Sequence, residues 1–329
     1  MAQAPAWQFT LQPWLSYATY DHWDFNADSS ALELKETTTQ FGWGIRRARL
    51  RGKWTFGKFA AFVQFEAMSA DILDAQIDVN FSKATKLRMG RFIGPGSQAG
   101  GRTSHTVIDF VERSIVGRMW AAALGRGDYR TYGLSLISKL GFLNYEIMAS
   151  NGDGSVNFKP YNSTSTRSMT NTGFIPQLDF MVHAYLTKSL QAGVHYGLPN
   201  EKRVNVSSLT AFFYLQPKEY NKGNIRAKID FAQVNDKTTE ISGMGYSAMG
   251  FVKFTEKMEF GIGYANWDPD TDMDKDGFGN VTVGVNYSPN PEKWNSMLFK
   301  LAATYKLAQA ENMPYDPFTV HLMWQVYAH

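Results

Sequence analysis

Apolar and polar residues alternate in short stretches from one end of the chain to the other. Phe59, Ala61, Val63 and Phe65 alternate with Lys58, Gln64 and Glu66, and Leu73, Ala75, Ile77 and Val79 alternate with Asp74, Gln76, Asp78 and Asn80. A period of two puts successive side chains on opposite faces of a strand, so each stretch predicts a β-strand with one apolar face. The pattern repeats through Leu87 and Met89, through Tyr132, Leu134 and Leu136, and on to Phe318, Val320, Leu322, Trp324 and Val326. The tally predicts an all-β chain of about sixteen strands, an even number as single-chain outer-membrane barrels require. Every second connection, near Gly57, Lys83, Gly141, Lys188 and Glu256, is short, while the others are mostly long and polar, with the one near Ala70 an exception. That asymmetry predicts a transmembrane antiparallel β-barrel with short periplasmic turns and long outer loops, residues 1–329 forming a single domain.

One segment breaks the alternation. Phe41–Trp54, FGWGIRRARLRGKW, is apolar on one parity at Phe41, Trp43 and Ile45 and on the other at Ala48, Leu50, Gly52 and Trp54. A β-bulge at Arg46-Arg47 mends the register and sends Arg46, Arg47, Arg49 and Arg51 to the same face. An arginine facing lipid at mid-depth costs roughly 2 to 4 kcal/mol, so this face is expected to line a wet lumen. Strand parity adds Lys58, Lys86, Arg88, Arg226, Lys228, Lys300 and Lys306 to the interior, against Glu66, Asp74, Asp78, Glu146, Asp179 and Asp230. Guanidinium groups in a narrow passage concentrate anions, although pairing of Arg49 with Glu66 or Asp74 would make such charges a brace for the wall.

Residues 94–128 form the longest stretch without alternation, glycine-rich in GPGSQAGG and helix-like from Thr106 to Ala123. Its Val107, Ile108, Phe110, Val111, Ile115 and Trp120 are too apolar for a solvated loop, so it is expected to fold into the barrel as a pore-constricting loop. GPGSQAGG lacks the lysine of a phosphate-binding loop and reads as a flexible hinge. A second polar connection is expected over Asn151–Asn171.

Composition narrows the classes further. The 329 residues are 44% hydrophobic and 15% aromatic, yet no apolar run approaches the roughly 18 residues of a membrane helix. The absence of cysteine excludes disulfides and thiolate sites and suits passage through an oxidising periplasm. The opening MAQAPAW resembles the residues just past an A-x-A cleavage site with a start methionine added, so a mature exported protein with its signal peptide removed is expected. A net charge of +3 gives no reason to expect a nucleic-acid partner.

The run IRRARLRGKWTFGKFAAFVQFEA, followed by LDAQIDVNF, LRMGRFIGPGS and DFVERSI, resembles the phosphate-selective porin O and P family of Gram-negative outer membranes. The resemblance is best over Gly44–Arg118, with echoes in MASNGDG at Met148–Gly154 and VGVNYSPNPEKW at Val283–Trp294. It implies a homotrimer of sixteen-stranded barrels, each with an inward-folded third outer loop, and a basic channel for phosphate or other oxyanions. Where phosphate specificity in that family goes with a lysine cluster, this loop offers Arg102, Arg113, Arg118 and Arg126, with no lysine between Lys86 and Lys139.

Asp268, Asp270, Asp272, Asp274 and Asp276 precede Gly277, and DMDKDG matches the first half of an EF-hand loop, but the closing glutamate position is Val283. Either a Ca2+ ion at the cell surface or an acidic solvated loop is expected; no other cofactor is required. The histidines have no metal-ligand spacing, and no Ser/His/acid arrangement supports an enzyme. The reading is an outer-membrane porin, a passive diffusion channel for small solutes with a bias to anions. Arg46, Arg47, Arg49, Arg51, Lys86, Arg88, Arg102, Arg113, Arg118, Arg226 and Lys228 are its expected pore-lining, anion-binding residues, and outer-membrane lipid and lipopolysaccharide its surroundings. The alternative is a plugged structural or adhesive barrel acting through its surface loops.

Overall fold

Sixteen antiparallel strands, each hydrogen-bonded to the next and the last to the first, close into a barrel. The computed structural model describes residues 5–26, 31–152, 176–201, 204–215, 223–274, 276–308 and 318–328. The strands are β1 (Ala6–Asn26), β2 (Ala31–Phe56), β3 (Phe59–Glu66), β4 (Asp71–Asn80), β5 (Thr85–Phe92), β6 (Thr131–Leu140), β7 (Leu143–Ser150) and β8 (Gln177–Tyr185). The second half is β9 (Leu190–Gly197), β10 (Val206–Leu215), β11 (Ile225–Asp236), β12 (Ser242–Thr255), β13 (Met258–Asp268), β14 (Phe278–Tyr287), β15 (Met297–Ala308) and β16 (Phe318–Ala328). Closure leaves no free sheet edge around the ring, which is what an apolar solvent demands of backbone donors and acceptors.

The period of two decides which side chains face where. Phe65, Ile77, Met89, Leu134 and Ile229 stand exposed on the outer surface, whereas Gln64, Ser135, Asp179, His195 and Gln325 are buried inside. The apolar outside and polar inside invert a soluble protein and match a barrel bathed in lipid. Lys58 departs from the parity reading: it lies in the tight turn after β2 and is exposed, because the chain reverses at Gly57 before Lys58 can face the lumen. The connection expected over Asn151–Asn171 lies, apart from its first residues, outside the described residues.

The expected bulge is present. Gln12 pairs with Arg47 and Pro13 with Ile45, leaving Arg46 as the extra residue. Pro13, which has no N–H to give a ladder, sits opposite the irregularity, where a missing donor is tolerated.

Between β5 and β6 the chain turns into the barrel. Helix α1 (Ile115–Ala123) starts at Ser114, whose Oγ accepts the Val116 N–H, and stops at Gly125, which adopts φ +65°. Its Val116, Trp120 and Ala121 pack against Val206, Ala232, Val234, Ala265 and Trp267 of the wall. The expectation of a helix from Thr106 holds only for its second half. Residues 105–110 spend their carbonyls on the wall instead: Gln12 donates to His105 O at 3.3 Å, Gln325 to Thr106 O at 3.1 Å and Asn286 to Asp109 O at 3.0 Å. Lys300 donates to Ile108 O and Phe110 O. A helix would have used those carbonyls internally. The glycine-rich stretch is likewise not a free hinge, since Gly94, Gly96 and Gly100 are buried beneath Met148, Trp120 and Tyr129.

Candidate functional site

The loop occupies one side of the barrel and leaves the other side open. Helix α1 and Phe110 lie against β10–β16, Phe110 packing on Phe251, Ala302 and Met323. What remains is a cavity of about 960 Å³ between the loop and the β2–β7 wall. Its lining includes Arg46, Arg47, Arg49 and Arg51 of β2, Lys86 and Arg88 of β5, and Arg102, Arg113 and Arg118 of the loop. Nine of the eleven expected pore-lining residues therefore face one space, although they come from three separate segments. Ten cationic side chains line it, with Arg130 the tenth, against the five carboxylates Glu66, Asp74, Glu112, Asp128 and Glu146.

The pairing inside this space is selective. Arg49 Nε donates to Glu66 Oε2 at 2.6 Å, and Arg46 forms a two-pronged pair with Glu112 of the loop at 2.8 Å. Lys86 and Arg88 share Asp78 at 2.7 Å each, Arg102 meets Glu146 at 2.8 Å, and Arg130 grips Asp74 at 2.8 and 3.0 Å. Arg47, Arg51, Arg113 and Arg118 have no carboxylate partner among the described residues. Arg47 donates to Gln12 Oε1 at 3.0 Å, and Arg51 to Gln64 Oε1 at 2.5 Å and to His105 Nδ1 at 2.9 Å. Because a guanidinium can only donate, Nδ1 of His105 accepts, and its Nε2–H faces Thr10 Oγ1 at 3.3 Å. Burial, followed by the neighbouring Arg51, Arg49 and Arg47, pushes the His105 pKa well below its ordinary value, so His105 holds Arg51 without adding charge. Neutral partners orient these guanidinium groups without cancelling them.

Two expected residues lie elsewhere. Arg226 is buried behind the loop, between Glu259 and Asp109 at 2.8 Å each. Lys228 binds the other oxygen of Asp109 at 2.7 Å and touches a smaller cavity of about 350 Å³. Both are anchors for the loop rather than lining of the large space. Burial alone would raise the Asp109 pKa, yet Lys228 and Arg226 hold it down to about 2. For Glu112, burial is likewise opposed by Arg46, which keeps its pKa below the ordinary carboxylate value.

Sequence reasoning missed several members. Arg91 pairs with Asp128, and Arg130 takes Asp74, one of the two carboxylates expected for Arg49, which pairs with the other, Glu66; Arg126, expected in the loop, reaches Asp179 at 2.8 Å. The connection after β14 also folds inward: Trp294 is 3% exposed, and Asn295 O accepts from Gln325 at 3.0 Å. The signal was a tryptophan beside two prolines in a connection that should have been short and polar. In the acidic loop, the Asp270 N–H donates to Asp268 Oδ1 at 3.2 Å and to Asp276 Oδ2 at 3.1 Å. Among the described residues no three acidic side chains converge as cation ligands would.

An anion-selective porin from Comamonas acidovorans superimposes with a TM-score of 0.64 at 13% identity, covering 99% of both chains. The fold is that of sixteen-stranded outer-membrane barrels. The outer-membrane channel DcaP of Acinetobacter baumannii gives a TM-score of 0.65 at 12% identity over 99% of this chain and 97% of that one. OmpT of Vibrio cholerae, in a trimer form, gives 0.57 at 12% identity over 99% and 100%. No protein-family model and no curated protein matches the sequence. At such identities the likeness is one of backbone fold.

Proposed function

We propose that this chain is an outer-membrane porin of a Gram-negative bacterium, a passive diffusion channel with a preference for small anions. One observation carries the reading: the open cavity is lined by ten cationic side chains and five carboxylates, and four of its arginines lack a carboxylate partner among the described residues. A water-filled passage with low-dielectric walls focuses such a charge excess, raising the local concentration of anions. Arg47, Arg49 and Arg51 are spaced two residues apart, roughly 6.6 to 6.8 Å between Cα atoms, so an anion can pass from one to the next. Phosphate or another oxyanion fits the donor set, because guanidinium groups bind such ligands by paired hydrogen bonds. No bond is made or broken in this function.

The barrel assembles as a homotrimer in this reading, set in outer-membrane lipid and lipopolysaccharide. The sequence resemblance to the phosphate-selective porin family and the trimer form of the fold-related OmpT support it.

Single-channel recording across a planar bilayer in a potassium chloride gradient tests the proposal. The reversal potential is expected to take the sign of chloride preference, and phosphate is expected to reduce chloride current. A reversal potential at the cation side overturns the anion preference. Absence of conductance from folded protein overturns the channel and favours a plugged barrel, since the loop already fills one side of the lumen.

A further inference from the structure

Among the described residues the two rims of the barrel differ in charge. On the side of the short turns, Lys58, Lys83, Lys139, Lys188 and Lys257 are each exposed, at or beside one turn each, and Lys293 adds a sixth in the connection after β14, against the two exposed carboxylates Glu256 and Glu292. None of the six is held in an ion pair among the described residues. On the opposite side, leaving aside the long loop, the exposed charges among the described residues are Asp71, Glu201, Glu240, Asp272 and Asp274 against Lys237.

Each of the five turn lysines has a large apolar neighbour exposed beside it. Phe56 and Phe59 flank Lys58, and Phe81 precedes Lys83. Leu140, 70% exposed, and Phe142, 60% exposed, follow Lys139. Leu186 accompanies Lys188, and Phe254 and Met258 bracket Lys257. These apolar side chains need hydrocarbon, and a lysine stem can lie along the same surface while its ammonium reaches the phosphate level. The repeat of one cation beside one apolar side chain, at five turns, is complementary to a phospholipid with a negative head group.

We propose that the inner rim is a docking surface for anionic phospholipid of the inner leaflet, with phosphatidylglycerol-type head groups held by the five turn lysines. The proposal rests on the reading of the chain as a membrane barrel, because it requires the short turns to lie at a bilayer surface. A polymer of the cell wall would satisfy the ammonium groups and leave the adjoining phenylalanines and leucines without a partner. Lipid satisfies both.

The test uses the full chain, refolded and reconstituted in phosphatidylcholine vesicles, with brominated phosphatidylglycerol or brominated phosphatidylcholine as quencher of tryptophan fluorescence. Trp7 and Trp324 are exposed on the barrel exterior and report the lipid in contact. The association constant of phosphatidylglycerol relative to phosphatidylcholine is expected to be about fivefold in the parent, the scale set by a cation near an anionic surface. It is expected to fall to about one when Lys58, Lys83, Lys139, Lys188 and Lys257 are all replaced by Gln. Equal association of both lipids with the parent, or a preference that survives in the five-Gln variant, overturns the proposal. So does lysine-dependent sedimentation with peptidoglycan sacculi in the absence of lipid preference. Gel mobility before and after heating establishes that the variant is folded, and its single-channel conductance is expected to match the parent's because none of the five lysines lines the large cavity. A parent that conducts but shows no lipid preference defeats only the rim proposal; lipid preference without conductance defeats only the channel.

Discussion

Asp109 of the inward loop and Arg226 of β11 meet at 2.8 Å, and Lys228 closes the other side of the same carboxylate at 2.7 Å. The two cations come from one face of one strand, so a single loop residue holds two charged groups of the wall. Removing one partner from a buried ionic cluster costs about 3 to 5 kcal/mol, because it strands the remaining charges. Asp109→Asn is therefore expected to undock residues 105–112 and raise single-channel conductance or its noise, while the heat-resistant barrel persists through its strand pairing. Unchanged conductance and noise would show that the loop is held without this pair.

The same pair sets an acid limit. Burial alone would raise the carboxyl, but Lys228 and Arg226 hold it below its ordinary 3.8, at about 2. A depressed pKa in the folded state means that the contribution to docking is complete above about 3.8 and is lost as pH falls through about 2. The Asp109 contribution, read as the difference in conductance between the parent and Asp109→Asn, is expected to stay constant from pH 7 to pH 4 and to shrink only as pH falls toward about 2. A change in that difference between pH 5 and 7 would show that Lys228 and Arg226 do not keep Asp109 ionised.

The arginine wall separates into rungs that are neutralised and rungs that are not. Arg49 lies 2.6 Å from Glu66, whereas Arg51 is held by Gln64 and His105. Replacing Arg49 and Glu66 together by Gln removes no net charge and is expected to leave the chloride-to-potassium permeability ratio unchanged. Arg51→Gln removes an uncompensated charge and is expected to lower that ratio, more at low salt than at high salt because mobile ions screen it. Reversal potentials for the two variants, recorded in parallel, check both expectations. The reverse ranking would show that pairing does not decide which arginines act on the permeant ion.

Helix α1 touches the preceding turn through Gly117, where an added Cβ would lie 2.5 Å from Gly100 N and 2.7 Å from the Ala99 carbonyl carbon. Both neighbours are backbone and cannot swing aside. Gly117→Ala is expected to displace α1 from the wall and expose Trp120, now 2% exposed. Tryptophan fluorescence should shift to longer wavelength, and protease should cut within residues 94–130. An unshifted spectrum would mean that the loop repacks around the extra methyl.

The sequence by itself determined the barrel. Alternation with a period of two specified the strands, the short and long connections specified their direction, and the parity break at Arg46 specified the bulge seen opposite Pro13. These features are local: a strand needs only its own residues to say which face is apolar. It also determined that Arg46, Arg47, Arg49 and Arg51 share a face, because neighbours on one strand have fixed relative directions.

Only the tertiary structure decided what those arginines meet. Arg46 and Glu112 are 66 residues apart, and Arg130 and Asp74 are 56 apart. Arg226 and Asp109 are separated by 117 residues. Alternation places each of these groups inside or outside the barrel but carries no information on which partner will stand across it. The loop's route was hidden for the same reason. Thr106–Ser114 is apolar enough to suggest helix, and it unwinds because Gln12, Asn286, Lys300 and Gln325, brought together from both ends of the chain by closure, offer its carbonyls better donors. The charge on a barrel wall is a property of one strand, whereas the field left after pairing belongs to the closed barrel.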